Sequence, residues 1–530
     1  MKNVKKMVAL MLTMSMTATL FTGCGSADSG SASGGGSTTT NESGIPEVDL
    51  TLAIWGVDTA VSDPNDPILE IIKEKTGVTI VPQNITWDDA TEKTKLWAVA
   101  GELPDVFAGD FVGSSFYFDW IDQGVLQPLP DDLSAYPNLE DYLSNMEKAQ
   151  AAMVDGKYYM IPRQTYEDVT WTVSDRNIAY RWDLAQAAGI TEEPENWDEF
   201  REMITAIIAT DPEGKGITGL TALQPTILAS YIFQYGGIFN GKWIAQDGEY
   251  MHGYFAGDLL AVMQLGRDMY QDGTIEPDII LQKMDTAQDK FLQGKSAAIL
   301  YATGAEEIYN YAGSSWEELY GHSILEDIKI AKIYPSSDGN SYYCLGTEAW
   351  SETYISSNAT AEEVDAICRL LDFYYSEEGR NLMIGGIEGE DYDMVDGRMV
   401  MKEGVSLPDK YSFFNNNSLP SLGIWNPSIY DLSYPSTKPD EFRQLTQERH
   451  QDALDNGTLP EYNDAISLLY TPLKASFIIS PEDDFFEIIS DTRPVEEMVA
   501  ELMADYEAAG LSEMIEEVNA AAVEAGIPMP

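Results

Sequence analysis

Apolar and polar positions divide the chain into three stretches with different rhythms. Met7 to Phe21 is an almost unbroken apolar run behind Lys2, Lys5 and Lys6, whereas Gly25 to Gly44 is mostly Gly, Ser, Thr and Ala with no apolar period. From Asp49 onward, short apolar strands alternate with amphipathic helices. Asp49 to Gly56 reads as a buried strand that delivers Trp55 to a loop, and Pro67 to Thr76 as a helix stopped by Gly77. Val78 to Pro82 is a second strand, Ala90 to Ala100 a helix, and Leu103 to Phe107 a third strand. Strands alternating with helices predict a parallel sheet.

The rhythm continues through a turn and strand at Asp155 to Arg163, a helix at Trp182 to Ala188, and a helix capped by Asp198 that runs through Ala209. A helix ends at Gln293, and Ser296 to Leu300 is a strand delivering Tyr301. Further strands are expected at Leu345 to Trp350 and Thr353 to Ser356, followed by a helix at Ala361 to Tyr375. After Asp391 the pattern is irregular, with Phe413, Phe414 and Trp425 among Asn, Pro and Ser; helices at Arg493 to Ala508 and Ser512 to Ala525 close the chain.

The first apolar run has about fifteen residues, short of the roughly 20 that span a bilayer core. A charged start, a short apolar stretch and Phe21-Thr22-Gly23-Cys24 describe an export signal. The segment resembles a bacterial lipoprotein signal, which implies removal of residues 1–23 and a lipid on Cys24. Phe21 stands where that pattern usually has Leu, and the alternative is an ordinary secreted protein cleaved nearby. The stretch that follows, with Cys24 assigned as residues 24–45, reads as a flexible tether with a reach on the order of 25 Å. The protein is therefore expected on the extracellular face of the membrane, held by lipid.

About 485 residues remain, too many for one small core, so two lobes are expected. The formal charge is −57, and about −60 without the three leader lysines. Such a field repels phosphate backbones and anionic head groups, which argues against nucleic acid as a partner and against membrane attachment through surface charge. Cys344 lies in a strand-like stretch and Cys368 in a helix-like one, so two buried thiols are favoured over a disulfide. His252, His322 and His450 are scattered without ligand spacing, which argues against zinc.

Several segments together resemble the extracellular solute-binding proteins of sugar-type ABC importers, in particular their large Gram-positive lipoprotein branch. They are Ala100-Gly101-Glu102-Leu103-Pro104-Asp105-Val106, Gly124 to Leu129, Asp155 to Pro162, Asp183 to Phe200, Gly294 to Ala298, and Gly385 to Tyr392 followed by Asp396-Gly397. The resemblance implies an α/β, two-lobe, periplasmic-binding-protein-like fold, with hinge strands and a ligand cleft between the lobes. It implies a non-enzymatic monomer that captures a carbohydrate, expected to be an oligosaccharide, and delivers it to the membrane permease of an ABC importer. Mapped here, lobe I holds 46–163 and 299–352, and lobe II holds 164–298 and 353–530. The carboxylates from Glu388 to Asp396 would suit calcium, but their spacing does not match an EF-hand, and no cofactor is expected.

A sugar presents apolar C–H faces and a rim of hydroxyls, so a site needs aromatic plates with polar groups at their edges. In parallel sheets ligands bind outside the carboxyl ends of strands, which directs attention to Trp55 and Asp110. Trp55 is the leading plate; Asp110 could accept two hydroxyls or simply cap a turn. Arg163 leaves the crossover strand and could donate to a ligand or form an interlobe ion pair. Tyr301, Trp350 and Trp425 are further candidate plates. Tyr235 is carried with Tyr231 and Trp243 as an aromatic cluster that reads more as core, although Gly236-Gly237 would let backbone approach a ligand. Two rival functions stay open: an oligopeptide binder of an ABC importer, and a surface glycoside hydrolase with two carboxylates roughly 5 to 10 Å apart. No Gly-x-Ser-x-Gly or His-Glu-x-x-His motif supports another hydrolase.

Overall fold

The first sheet grows from strand-to-helix units. The computed structural model describes residues 39–87, 89–166, 169–301, 308–343, 348–425, 427, 431–435 and 440–530. Cys24, the leader, the tether up to residue 38, and Cys344 lie outside the described residues. The strands are β1 (Val48–Ala53), β2 (Val78–Pro82), β3 (Val106–Gly109), β4 (Ile161–Gln164), β5 (Asn177–Arg181), β6 (Thr218–Ala222), β7 (Trp243–Gln246), β8 (Glu249–His252), β9 (Ser296–Tyr301), β10 (Ile328–Ile330), β11 (Ala349–Ile355), β12 (Tyr392–Val395) and β13 (Arg398–Met401).

One sheet has the order β2-β1-β3-β11-β4, with β1 parallel to β2 and β3, and β11 antiparallel to β3 and β4. A second has the order β10-β5-β9-β6. Each sheet has its own core. Leu50, Leu52, Phe107, Tyr354 and Ile367 are among the residues of the first, and Ile178, Phe200, Leu220, Ala298 and Phe485 among those of the second.

Helix Ala361–Tyr375 shows why the pattern was readable. Thr360 and Glu363 form a capping box, and Val364, Ile367, Cys368, Leu371 and Tyr375 place an apolar stripe at helical spacing against the first core. Cys368 is a buried free thiol. Helix Pro67–Thr76 ends where expected, because Gly77 takes a left-handed φ of 76° and donates to the Lys73 carbonyl. The next expected cap is displaced: Asn196, not Asp198, accepts from the Glu199 amide and starts helix Trp197–Thr210.

The expected lobe boundaries need correction. The described residues between Ile299 and Ile330 pack with the second sheet, because β9 lies between β5 and β6, and Ile299, Tyr301, Trp316 and Ile328 fill a core beneath it. The chain returns to the first sheet only at β11, which inserts between β3 and β4. Residues 353–425 then stay with the first lobe: helix Ala361–Tyr375, Phe413, Leu419 and Leu422 all belong to its core. The chain thus crosses between sheets after β4, before β11, and again between Trp425 and Phe442.

Candidate functional site

Four tryptophans converge at the end of the first sheet. β1 delivers Trp55, whose backbone bridges Ile85 beyond the end of β2, and two residues further stands Trp87. The Trp55 and Trp87 rings stack with centroids 4.3 Å apart and planes within 4°. Trp350 from β11 lies 5.5 Å from Trp55 and 5.9 Å from Trp87. Trp425 completes the group, 6.2 Å from Trp55 and 5.7 Å from Trp350. Its amide donates to the Gln164 carbonyl at 2.7 Å, so the irregular loop runs along the edge of β4.

A bulge sets the direction of Trp350. Between Ala349 and Glu352, β11 spends one more residue than β4, and Ser351 adopts a left-handed φ of 58°. In an unbroken strand, residues 350 and 352 would share a face. Here Trp350 is 37% exposed while Glu352 is fully buried. The bulge therefore turns the indole outward and the carboxylate inward.

Arg163 lies behind the rings and is fully buried. Its guanidinium carbon is 5.1 Å from the Trp55 ring centroid and 5.3 Å from that of Trp425. Nη1 donates to Ser351 Oγ at 2.9 Å and Nε to the Leu422 carbonyl at 3.3 Å, while Nη2 has no hydrogen-bond partner. Burial lowers the guanidinium to about 10, which leaves it charged at neutral pH. One cation thus ties together the crossover strand, the bulge and two of the plates.

Beyond Asp110 and Ala349, and not lined by the four rings themselves, opens a cavity of ≈ 740 Å³ walled by both lobes. Asp110, Ser115 and Lys148 come from the first lobe, and Asn240, Lys242 and His252 from the second. That volume is within the range of about 300 to 1,000 Å³ usual for small-molecule sites. Desolvation, and then the charge of Glu352, raise the Asp110 pKa, while Lys148 and a hydrogen bond from Trp350 oppose the shift. Asp110 therefore joins the aromatic group to the cavity wall. Behind it, Glu352 accepts from the Phe111 amide at 3.2 Å and the Tyr354 hydroxyl at 2.6 Å, and pairs with Lys148 at 2.6 Å.

The structure brings Trp55, Trp350, Trp425 and Arg163 together and puts Asp110 next to them. Tyr301 is elsewhere: it is a core residue whose hydroxyl accepts from Gln288 at 3.0 Å. Its strand is central in the second sheet, so the residue at its end stays covered. Tyr235 lines a different, much smaller cavity beside Tyr334 and Tyr342. Sequence reasoning passed over Trp87, although the strand-end rule that selected Trp55 applies equally beyond β2. It also missed Lys148 and Glu352, which no local pattern marks.

The acidic stretch Glu388–Asp396 contains β12, the first strand of the hairpin β12–β13. Buried Asp391 is engaged by the Lys410 ammonium, the Tyr411 hydroxyl and the Ile387 amide, a setting made for a carboxylate and an ammonium. Among the described residues, no group of three or more His, Cys, Asp or Glu is placed to hold a metal ion, and no helix is long and apolar enough to cross a membrane.

Known proteins share this fold. Residues 62–381 match the model of the bacterial extracellular solute-binding proteins. A putative binding protein of Brucella abortus (strain 2308) is 25% identical over 270 residues, 48% of this chain, and the match spans 58% of that relative's length. Lipoprotein LipO of Bacillus subtilis (strain 168) is 21% identical over 440 residues, covering 79% of this chain and 81% of LipO. The S. pneumoniae ABC-transporter substrate-binding protein FusA, solved in complex with kestose, has a TM-score of 0.67 at 16% identity, over 90% of this chain and 99% of FusA. That likeness is one of fold, the two-lobe α/β arrangement of periplasmic binding proteins. The matched span covers more than half of the sequence, and the chain belongs to the family of bacterial extracellular solute-binding proteins.

Proposed function

We propose that this protein captures an oligosaccharide in the cleft between its lobes and hands it to the membrane permease of an ABC importer. The observation that carries the reading is the tryptophan group next to a cavity walled by both lobes, to which Asp110 joins it. Covering roughly 100 Å² of apolar sugar face contributes about 2.5 kcal/mol at ~25 cal/mol/Å². Sugar hydroxyls donating to Asp110, and hydrogen bonds with the neutral groups of the cavity, then fix orientation. The binding is closure without chemistry: the crossing segments act as hinges, and the closed form is what the permease recognises. FusA, whose fold this chain shares, was solved with a sugar bound.

The name of LipO and the leader sequence support a lipid on Cys24, which would hold a monomeric binder near its permease. A glycan panel scored by melting temperature tests the reading. A shift with an oligosaccharide that is recovered intact is the expected result. Release of reducing ends would make the protein a hydrolase, and a shift with oligopeptides alone would make it a peptide binder.

A further inference from the structure

We infer that the cleft selects uncharged glycans and rejects anionic ones such as uronates, an inference that rests on the carbohydrate reading above. Every cation among the described residues that line or back the cavity is already engaged by the protein. Lys148 pairs with Glu352 at 2.6 Å and donates to the Ala349 carbonyl at 3.1 Å. Lys242 pairs with Asp464 at 2.6 Å and lies over the Tyr462 ring. Lys474 gives its three N–H bonds to the carbonyls of Ile466, Ser467 and Leu469 at 3.0, 2.6 and 2.8 Å. Arg163 is sealed beneath Trp55 and Trp425.

His252 does not supply a charge either. Its Nδ1 accepts from the Tyr254 amide at 3.3 Å, and burial, with the nearby charge of Lys474, lowers the ring to about 4. Lys148 cannot be recruited cheaply. A ligand carboxylate that drew Lys148 away would strand Glu352, which is fully buried, and breaking one side of a buried pair is strongly unfavourable.

The opposite charge is the one left facing the cavity. Asp110 is exposed there, with no cation within ion-pair distance among the described residues. An anionic ring would meet this carboxylate inside a protein whose net charge is −57. The remaining polar groups suit hydroxyls. Asn240 and Ser115 line the wall, and buried Ser467 Oγ has no hydrogen-bond partner.

The experiment uses the full chain and matched ligands: maltotetraose, cellotetraose and mannotetraose, each beside the same sugar oxidised at C6 to the uronate. Titration calorimetry should show the neutral member of a binding pair tighter by about thirtyfold, the size of one like-charge contact near 8 Å at an effective dielectric of 20. The gap should narrow as salt is raised. Asp110→Asn should narrow it further by improving the uronate. A uronate that binds as tightly as its neutral partner, or more tightly, overturns the inference while leaving the carbohydrate reading intact. Failure of every glycan, neutral and oxidised, overturns the carbohydrate reading and this inference with it.

Discussion

Replacing Arg163 with methionine separates holding the plates in place from holding the fold together. The guanidinium makes two hydrogen bonds, to Ser351 Oγ and the Leu422 carbonyl, and two ring contacts, to Trp55 and Trp425. Bonds from a charged donor contribute about 1.5 to 3 kcal/mol each, and the ring contacts about 1 kcal/mol each. Together that is about 5 to 8 kcal/mol. Against it stand the desolvation of a fully buried ion, several kcal/mol, and an unpartnered Nη2, about 1 to 3 kcal/mol more. The guanidinium lies below its ordinary value, which means burial outweighs the favourable contacts in the preference for charge. The two sides nearly cancel, so Arg163→Met, close in volume, should move the melting temperature by only a few degrees.

Binding should respond more. Without the cation, Trp55 and Trp425 lose their common support, and the bulge at Ser351 loses the bond that pins it. Misplacing one plate forfeits part of the ~2.5 kcal/mol that a sugar face contributes, which is a tenfold to seventyfold loss of affinity. Arg163→Lys keeps the charge but cannot span both acceptors, so its affinity should fall between the two. The assay pairs titration calorimetry against a neutral tetrasaccharide that binds with the exciton couplet of the stacked indoles in circular dichroism, read without ligand. A fall of more than ten degrees in melting temperature with unchanged affinity and couplet would refute the reasoning, because Arg163 would then stabilise the fold without positioning the rings.

Trp87 offers a cleaner test of a plate than Trp55: it is 59% exposed where Trp55 is 5% exposed, so Trp87→Ala should cost affinity with little change in melting temperature, whereas Trp55→Ala should lower both. Equal affinity of Trp87→Ala and the parent protein in calorimetry would place Trp87 outside the site. His322 Nε2 donates to the Asp327 carboxylate at 2.6 Å, and that bond raises its pKa above the ordinary 6.5. The stability it contributes is present below the unfolded value and lost as pH rises through the raised folded value. His322→Gln should therefore flatten the dependence of melting temperature on pH across the neutral range, and an unchanged slope would exclude the coupling.

What was legible in the sequence was local. Helices Pro67–Thr76, Ala90–Ala100 and Ala361–Tyr375, and strand Val78–Pro82, appear with the expected bounds because caps, glycine stops and apolar spacing all act within a few residues. Trp55 and Asp110 were found from their positions after strands, a rule about neighbours in sequence. The lobe assignment of 299–352 failed for a different reason. Nothing inside Ser296–Tyr301 says which sheet it joins; its partners are Asn177–Tyr180 and Thr218–Ala222, more than 70 residues away. Tyr301 was misplaced by the same ambiguity, since a strand end opens to ligand only when its sheet leaves that end uncovered. The bulge at Ser351 was also hidden, because it exists only in the pairing of β11 with β4.

The aromatic plates are unequally shared between the lobes, and that has a consequence for the order of events. Trp55, Trp87, Trp350, Trp425 and the cation behind them all stand on the first sheet and its edge loop. The second lobe brings hydrogen-bonding groups to the cavity, among them Asn240 and the paired Lys242, alongside apolar wall residues such as Phe477 and Ile479. Apolar contact needs no partner lobe to be favourable, whereas hydrogen bonds to a sugar gain strength only once water is excluded. On the proposed function, the glycan therefore docks first on the tryptophans of lobe I, and lobe II closes over it afterwards. Closure then adds the hydrogen bonds of the second lobe, so Asn240→Ala should speed release of the closed complex and leave the association rate unchanged, Trp87→Ala should slow association, and the opposite pattern in stopped-flow fluorescence would refute that order.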